Sequence, residues 1–304
     1  MEIIFLKFSL KTKTMEDKDF ATARQKIAIV GAAGFIGRNL TLYLKRKGLS
    51  LNLFYRSNPI IENGILRSDF SNVDVIIWCA SLVTPLSAEH YPELVQTEIE
   101  SWKELLRSLK LLGKSDVKII YLSSAGCTYN SDETSYSEDH PANGTNEYGL
   151  LKLRIEKLLI ESSLNYLILR VANVYGPNQP TGRGQGVIAE WMNSINSKKP
   201  IQVFGDLDSF RDYIFIDDLM EAISLCADLN ITNQIINIGS AQSTSLRDLL
   251  QVISSVTKQK IEYLQLGSRT VDRTGYVLNI DKIKKLTGWS PHFTLKNGIE
   301  LCLK

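Results

Sequence analysis

Three groups of residues in this 304-residue chain have types and spacings that could do chemistry. Tyr148 and Lys152 stand one helical turn apart in YGLLK, so their side chains share a face. A free phenol titrates near pH ~10 and is a poor base at neutral pH. A neighbouring ammonium favours the phenolate, so the pairing predicts a tyrosine brought toward useful proton transfer. Lys152 could also hold a ribose. A tyrosine and lysine merely exposed on a helix are the competing reading. The second group is Gly31, Gly34 and Gly37 in GAAGFIG, directly after the apolar run KIAIV. Glycines there allow a tight turn, backbone close enough to touch a pyrophosphate, and a helix packed closely on its strand. The helix N-terminus then offers unpaired N–H groups to phosphate. The third group is a hydroxyl at the end of IIYLSSAGCTYN, suited to bonding a substrate oxygen beside the tyrosine. Ser124 is the first choice, with Ser123 and Thr128 behind it.

These groups need a scaffold, and the chain alternates in the way that supplies one. KIAIV, LSLNLFYR, VDVIIWCAS, VKIIYLSSAG and NYLILRVANV read as short buried strands, separated by helical segments such as FIGRNLTLYLKRKG and YGLLKLRIEKLLIES. That pattern predicts an α/β fold, a Rossmann-type doubly wound parallel sheet buried on both faces. The dinucleotide-binding domain is expected over residues 26–175, with 212–239 returning to it. A smaller, discontinuous C-terminal substrate lobe is expected from 176–211 and 240–304, and residues 1–25 read as a poorly ordered extension.

The residue that meets the adenosine ribose belongs at the end of the second strand. An acid there bonds the 2′-hydroxyl of NAD, and an arginine accommodates the 2′-phosphate of NADP. The chain has Tyr55, Arg56 and Ser57 and no carboxylate, so either NAD or NADP(H) is expected, with Arg56 leaning toward NADP(H).

Bulk properties exclude several classes. Hydrophobic content of 44%, charged content of 22% and a net charge of +2 fit an ordinary globular protein and advertise neither nucleic acid nor an anionic membrane. No apolar run approaches the ~20 residues of a membrane span. Cys79, Cys127, Cys226 and Cys302 are scattered, which predicts neither a disulfide framework nor a zinc site and fits a reducing, cytoplasmic setting. His90, His140 and His292 are isolated, and no metal is expected.

From about residue 26 to 300 the chain resembles the extended short-chain dehydrogenase/reductase family, in its nucleotide-sugar epimerase/dehydratase branch. The motifs that carry this are GAAGFIG (31–37), SSAGCTY (123–129), YGLLK (148–152), LRVANVYGP (169–177), RDYIFIDD (211–218) and GWSP (288–291). The resemblance implies an NAD(P)-dependent enzyme with Tyr148, Lys152 and Ser124 as its catalytic set. Counted back from Tyr129, the relatives' hydroxyl position falls on Ala125, one residue beyond Ser124. It further implies Phe35, Ile36 and Ala80 as cofactor contacts, and Asp69 and Phe70 beside the adenine after a third strand.

The implied substrate is a sugar–nucleoside diphosphate, with Asn173 at the diphosphate and Arg211 and Arg269 neutralising phosphate, Arg269 through an R-x-x-D with Asp272. A homodimer is also implied. Three reactions compete. A 4-epimerase is favoured by GRGQGVIAEW, which resembles enzymes acting on UDP-hexoses, and a 4-keto-sugar reductase by Arg56. A 4,6-dehydratase is disfavoured, because Ala125 and Gly126 stand where those relatives carry Asp-Glu. A non-catalytic cofactor sensor is the reading from another class.

Overall fold

The computed structural model describes residues 25–62, 65–67, 70, 72–129, 133–269 and 275–303. The extension expected before residue 25, Asp69 and Asp272 lie outside that set. Six parallel strands form the central sheet. From one edge to the other they are Gln234–Ile238, Tyr166–Val171, Lys118–Ser124, Val75–Trp78, Ile27–Val30 and Leu51–Phe54.

Period-2 alternation explains why both faces are covered. Ile27, Ile29, Ile77, Ile120 and Leu169 point to one side, where the helices Phe35–Arg46 and Ile216–Asp228 pack together. Ala28, Ile76, Ile119, Tyr121 and Ile168 point to the other, against the helices Pro92–Leu111 and Glu147–Glu161. Both sides are apolar, so the strands read as continuous hydrophobic runs.

The third strand expected before Asp69 does not join this sheet. Ile61–Glu62 and Ile65–Leu66 instead pair with each other, antiparallel, and the next sheet strand is Val75–Trp78. Two residues on each side make a local ladder and are too short to cross a sheet.

Strand order reverses at Ile27–Val30, which has Leu51–Phe54 on one side and Val75–Trp78 on the other. Ligands of open α/β sheets sit beyond the carboxyl ends of the strands at such a switch. Across from it lies a set of short pairs: Asn173–Tyr175 with Tyr213–Phe215, Ile201–Phe204 with Tyr263–Leu266, and Phe210–Arg211 with Thr244–Ser245. Among the described residues, no helix is long and apolar enough to cross a membrane.

Candidate active site

One cleft of about 1960 Å³ runs between the carboxyl ends of the sheet and the short pairs. At one end are Gly31, Gly34, Phe35, Ile36, Tyr55, Arg56 and Ala80; in the middle Ser124, Tyr148 and Lys152; at the other end Asn173, Arg211 and Arg269. Residues far apart in the chain thus share one space.

The glycine turn is built for close approach. Gly31 has φ +84°, and a Cβ there would stand 2.8 Å from the backbone nitrogen of Ala80. A Cβ on Gly37 would run into the carbonyl oxygen of Gly31, so Gly37 packs helix on turn and does not itself face the cleft. The helix that follows, Phe35–Arg46, has no side-chain cap and no acid in its first turn. Its first N–H groups therefore remain available to an anion.

The helix Glu147–Glu161 starts where Asn146 accepts a hydrogen bond from the N–H of Gly149 at 2.9 Å. It buries the stripe Leu151, Lys152, Ile155, Glu156 and Leu159, so two of the residues on its inner face are charged. Glu156 is answered by Arg170 at 2.7 Å and by the Ser123 hydroxyl at 2.5 Å. Lys152 is 3% exposed and makes no hydrogen bond to a described residue. Its Nζ lies 5.1 Å from the ring centres of both Tyr121 and Tyr148.

The lowering of the Tyr148 phenol expected from Lys152 does not dominate. Burial, then Cys127 and Glu98, push that phenol above its ordinary value. Burial likewise lowers Lys152, against the opposing pull of Glu98, Cys127 and Glu156.

Of the three candidate hydroxyls, two are spoken for. Ser123 donates to Glu156, and Thr128 donates to the carbonyl of Ser124 at 2.6 Å. Ser124 lines the cleft, and its hydroxyl makes no hydrogen bond to a described residue. Phe70, expected beside the adenine, is instead a core residue, 1% exposed, with its ring 6.4 Å from that of Phe54. Its aromatic side chain was drawn into the hydrophobic layer below the sheet, which leaves it no surface in the cleft. Arg56 is exposed at the cleft edge, in the turn closed by the Tyr55–Asn58 bridge, and carries no ion pair to a described residue.

On the far wall Asn173 donates to the carbonyl of Asp212 at 3.3 Å, and the guanidinium of Arg269 lies 4.6 Å from the ring centre of Phe204. The NAD dependent epimerase/dehydratase family matches residues 27–239. The chain belongs to that family.

A dTDP-4-dehydro-6-deoxyglucose reductase of Escherichia coli is 34% identical over 192 residues, which is 62% of this chain and 60% of that protein. The UDP-glucose 4-epimerase of Mycolicibacterium smegmatis is 25% identical over 301 residues, 89% of this chain and 95% of that protein. The crystal structure of UDP-glucose 4-epimerase from Thermotoga maritima, with UDP-glucose, is similar with a TM-score of 0.81 at 25% identity, covering 92% of this chain and 97% of that one. The chain is thus an enzyme of the extended short-chain dehydrogenase/reductase type, in an NAD-dependent family.

The residues present fit a dinucleotide. The uncapped helix N-terminus and the close Gly31–Ala80 approach suit a pyrophosphate, and the buried Lys152 ammonium has no acceptor among the described residues. Among the described residues, no group of three His, Cys, Asp or Glu side chains could hold a metal ion.

The cleft also has a lining residue that motif reading passed over. Tyr213 lines the cleft with its hydroxyl buried and unpartnered among the described residues, and burial pushes that phenol up to about 12. Buried polar atoms without a partner are uncommon, and one on a cleft-lining residue can bond whatever the cleft holds. Alternation in RDYIF put Arg211 and Tyr213 on one face, a signal available from spacing alone.

Asp212, between them, accepts from the N–H and hydroxyl of Ser240 at 2.7 Å each, from Ala241 N–H at 3.1 Å and from Leu278 N–H at 3.2 Å. It clamps the strand that carries Arg211. Asp212→Ala strands several buried donors and should lower unfolding free energy by about 3 kcal/mol, read by denaturant titration.

Proposed function

We propose that this enzyme is a nucleotide-sugar 4-epimerase acting on a UDP-hexose or UDP-N-acetylhexosamine. The observation that carries the reading is the single cleft, which joins the glycine turn, the Tyr148–Lys152 pair and two arginines. The full-length likeness to UDP-glucose 4-epimerases supports it.

In this reading Tyr148 accepts the proton of the sugar C4 hydroxyl and later returns it. The Ser124 hydroxyl donates to the same oxygen and holds it in line. Lys152 holds the nicotinamide ribose and stabilises the phenolate. Asn173, Arg211 and Arg269 bind the diphosphate, a task suited to permanently charged guanidinium groups. A nicotinamide dinucleotide held by the glycine turn and Lys152 would supply reversible hydride transfer at the sugar C4.

A second reading, an NADPH-dependent 4-keto-deoxysugar reductase, is favoured by two observations. Arg56 stands at the cleft edge with no ion-pair partner among the described residues and no acid next to it in sequence, and the Escherichia coli relative is a 4-keto-deoxysugar nucleotide reductase. Identifying the dinucleotide released on denaturing the purified protein separates the two. Near-stoichiometric NAD supports the epimerase, which keeps its cofactor through both half-reactions. NADP(H), or an empty site preferring NADPH, supports the reductase.

Arg56→Glu extends that test. If Arg56 meets a 2′-phosphate, NADPH affinity should fall roughly 10- to 100-fold with NADH affinity little changed. Equal effects on both dinucleotides would remove Arg56 from that role.

A further inference from the structure

Glu98 has no place in the roles above, yet it lies at their centre. It sits on the helix Pro92–Leu111, is 3% exposed and lines the cleft. Both its oxygens face the Ser81 hydroxyl, at 3.1 and 2.9 Å, and one accepts the N–H of Leu82 at 2.7 Å. Ser81 and Leu82 belong to the cleft-lining segment after the strand Val75–Trp78.

One turn further along its helix, Trp102 packs against Tyr121, ring centres 5.1 Å apart, and Tyr121 is one of the two rings under the Lys152 ammonium. No cation among the described residues pairs with Glu98, whereas Glu156, the other buried carboxylate near Lys152, is bonded to Arg170. A buried carboxylate and a buried ammonium, neither ion-paired with a described residue, thus line the same cleft, on helices that pack against each other. Each is costly alone, and an opposite charge in the same low-dielectric space lowers that cost.

We propose that Glu98 is a positioning residue for the Tyr148–Lys152 pair, serving as the counter-charge of the Lys152 ammonium while its hydrogen bonds fix the Ser81–Leu82 wall of the cleft. The proposal rests on the reading of Lys152 as the group that holds the nicotinamide ribose, and not on which sugar reaction follows. Other titratable groups face the pair. They are Tyr121 from the strand Lys118–Ser124, Cys127 from the turn Ala125–Thr128, and Glu156 from the pair's own helix. From the helix Pro85–His90, Glu89 is occupied with the N–H of Glu147 at 3.1 Å. Of these, Glu98 exerts the largest upward pull on Lys152, against burial. Removing its charge lets the ammonium lose its proton at lower pH.

The test is the affinity of the full chain for NADH across the range from neutral to strongly alkaline pH, measured calorimetrically in a Tyr148→Phe background so that the phenol does not titrate. In the parent, affinity falls as Lys152 loses its proton. In Glu98→Gln the same fall should begin about one pH unit lower, making binding up to about tenfold weaker between the two transitions and near-equal at the acid end. Glu98→Asp, which keeps the charge, and Ser81→Ala, which removes only the hydroxyl, should follow the parent's pH dependence.

A Gln curve that coincides with the parent, or lies below it by one constant factor at every pH, overturns the proposal. Where Glu98→Gln is not recovered folded, Glu98→Asn is read in the same way. The shift in this background, together with no epimerisation of any nucleotide sugar by the chain that keeps Tyr148, leaves Glu98 in place and removes the epimerase reading.

Discussion

Tyr148→Phe should lower turnover by about 10³- to 10⁴-fold while leaving dinucleotide affinity within a few-fold of the parent. Positioned proton transfer contributes about that much to a rate, and phenylalanine removes the transferring oxygen without emptying the space. The split matters as much as the size. The ring of Tyr148 lies beside the Lys152 ammonium, and phenylalanine keeps that ring. Binding should therefore survive when chemistry does not.

Steady-state rates and calorimetric titration on the same preparation check both halves. Turnover retained within tenfold would remove Tyr148 as the proton carrier. A cofactor-sensing protein, by contrast, would keep its function in this variant.

Gly31→Val should abolish measurable dinucleotide binding, a loss of at least about a hundredfold. Two independent faults are built in. At φ +84° a β-branched residue sits in the left-handed region it least tolerates. The added Cβ would also stand 2.8 Å from the Ala80 backbone nitrogen, in a wall that cannot give way as a flexible side chain can. The variant should be less stable as well, since the strain is present without ligand. Gly113→Val is the control. Gly113 also has positive φ, but a Cβ there meets nothing within 4 Å, and the residue lies away from the cleft. It should lose some stability and keep dinucleotide binding. Near-normal NADH affinity in Gly31→Val would mean that the turn does not approach a pyrophosphate.

The parts of this site visible in the sequence are those whose geometry is local. Tyr148 and Lys152 share a face because helical periodicity requires it, and the glycine turn is announced by the strand before it and the helix after it. Alternation exposed the buried strands, though it gave no warning that Ile61–Glu62 and Ile65–Leu66 would pair with each other. Phe70 shows the limit of motif position: its register matched a cofactor contact, but a phenylalanine beside Phe54 is worth more to the core than to the cleft.

Glu98 was legible in principle. It lies in the apolar stripe Val95, Glu98, Ile99 and Trp102, where an acid is out of place. The Tyr213 hydroxyl was not, because whether a buried phenol finds a partner depends on elements distant in the chain. The direction of the Tyr148 shift was equally hidden, since it turns on burial that only the folded cleft creates.

The measurement that tests the central claim most directly uses UDP-hexoses and UDP-N-acetylhexosamines carrying deuterium at C4, offered to the protein without added dinucleotide. The 4-epimerase account predicts interconversion of at least one pair of C4 epimers, deuterium retained at C4 of the product, and no net change in the nicotinamide redox state. No interconversion across the panel, together with NADPH oxidation by a 4-keto-deoxysugar nucleotide, would contradict it and assign the cleft to a reductase.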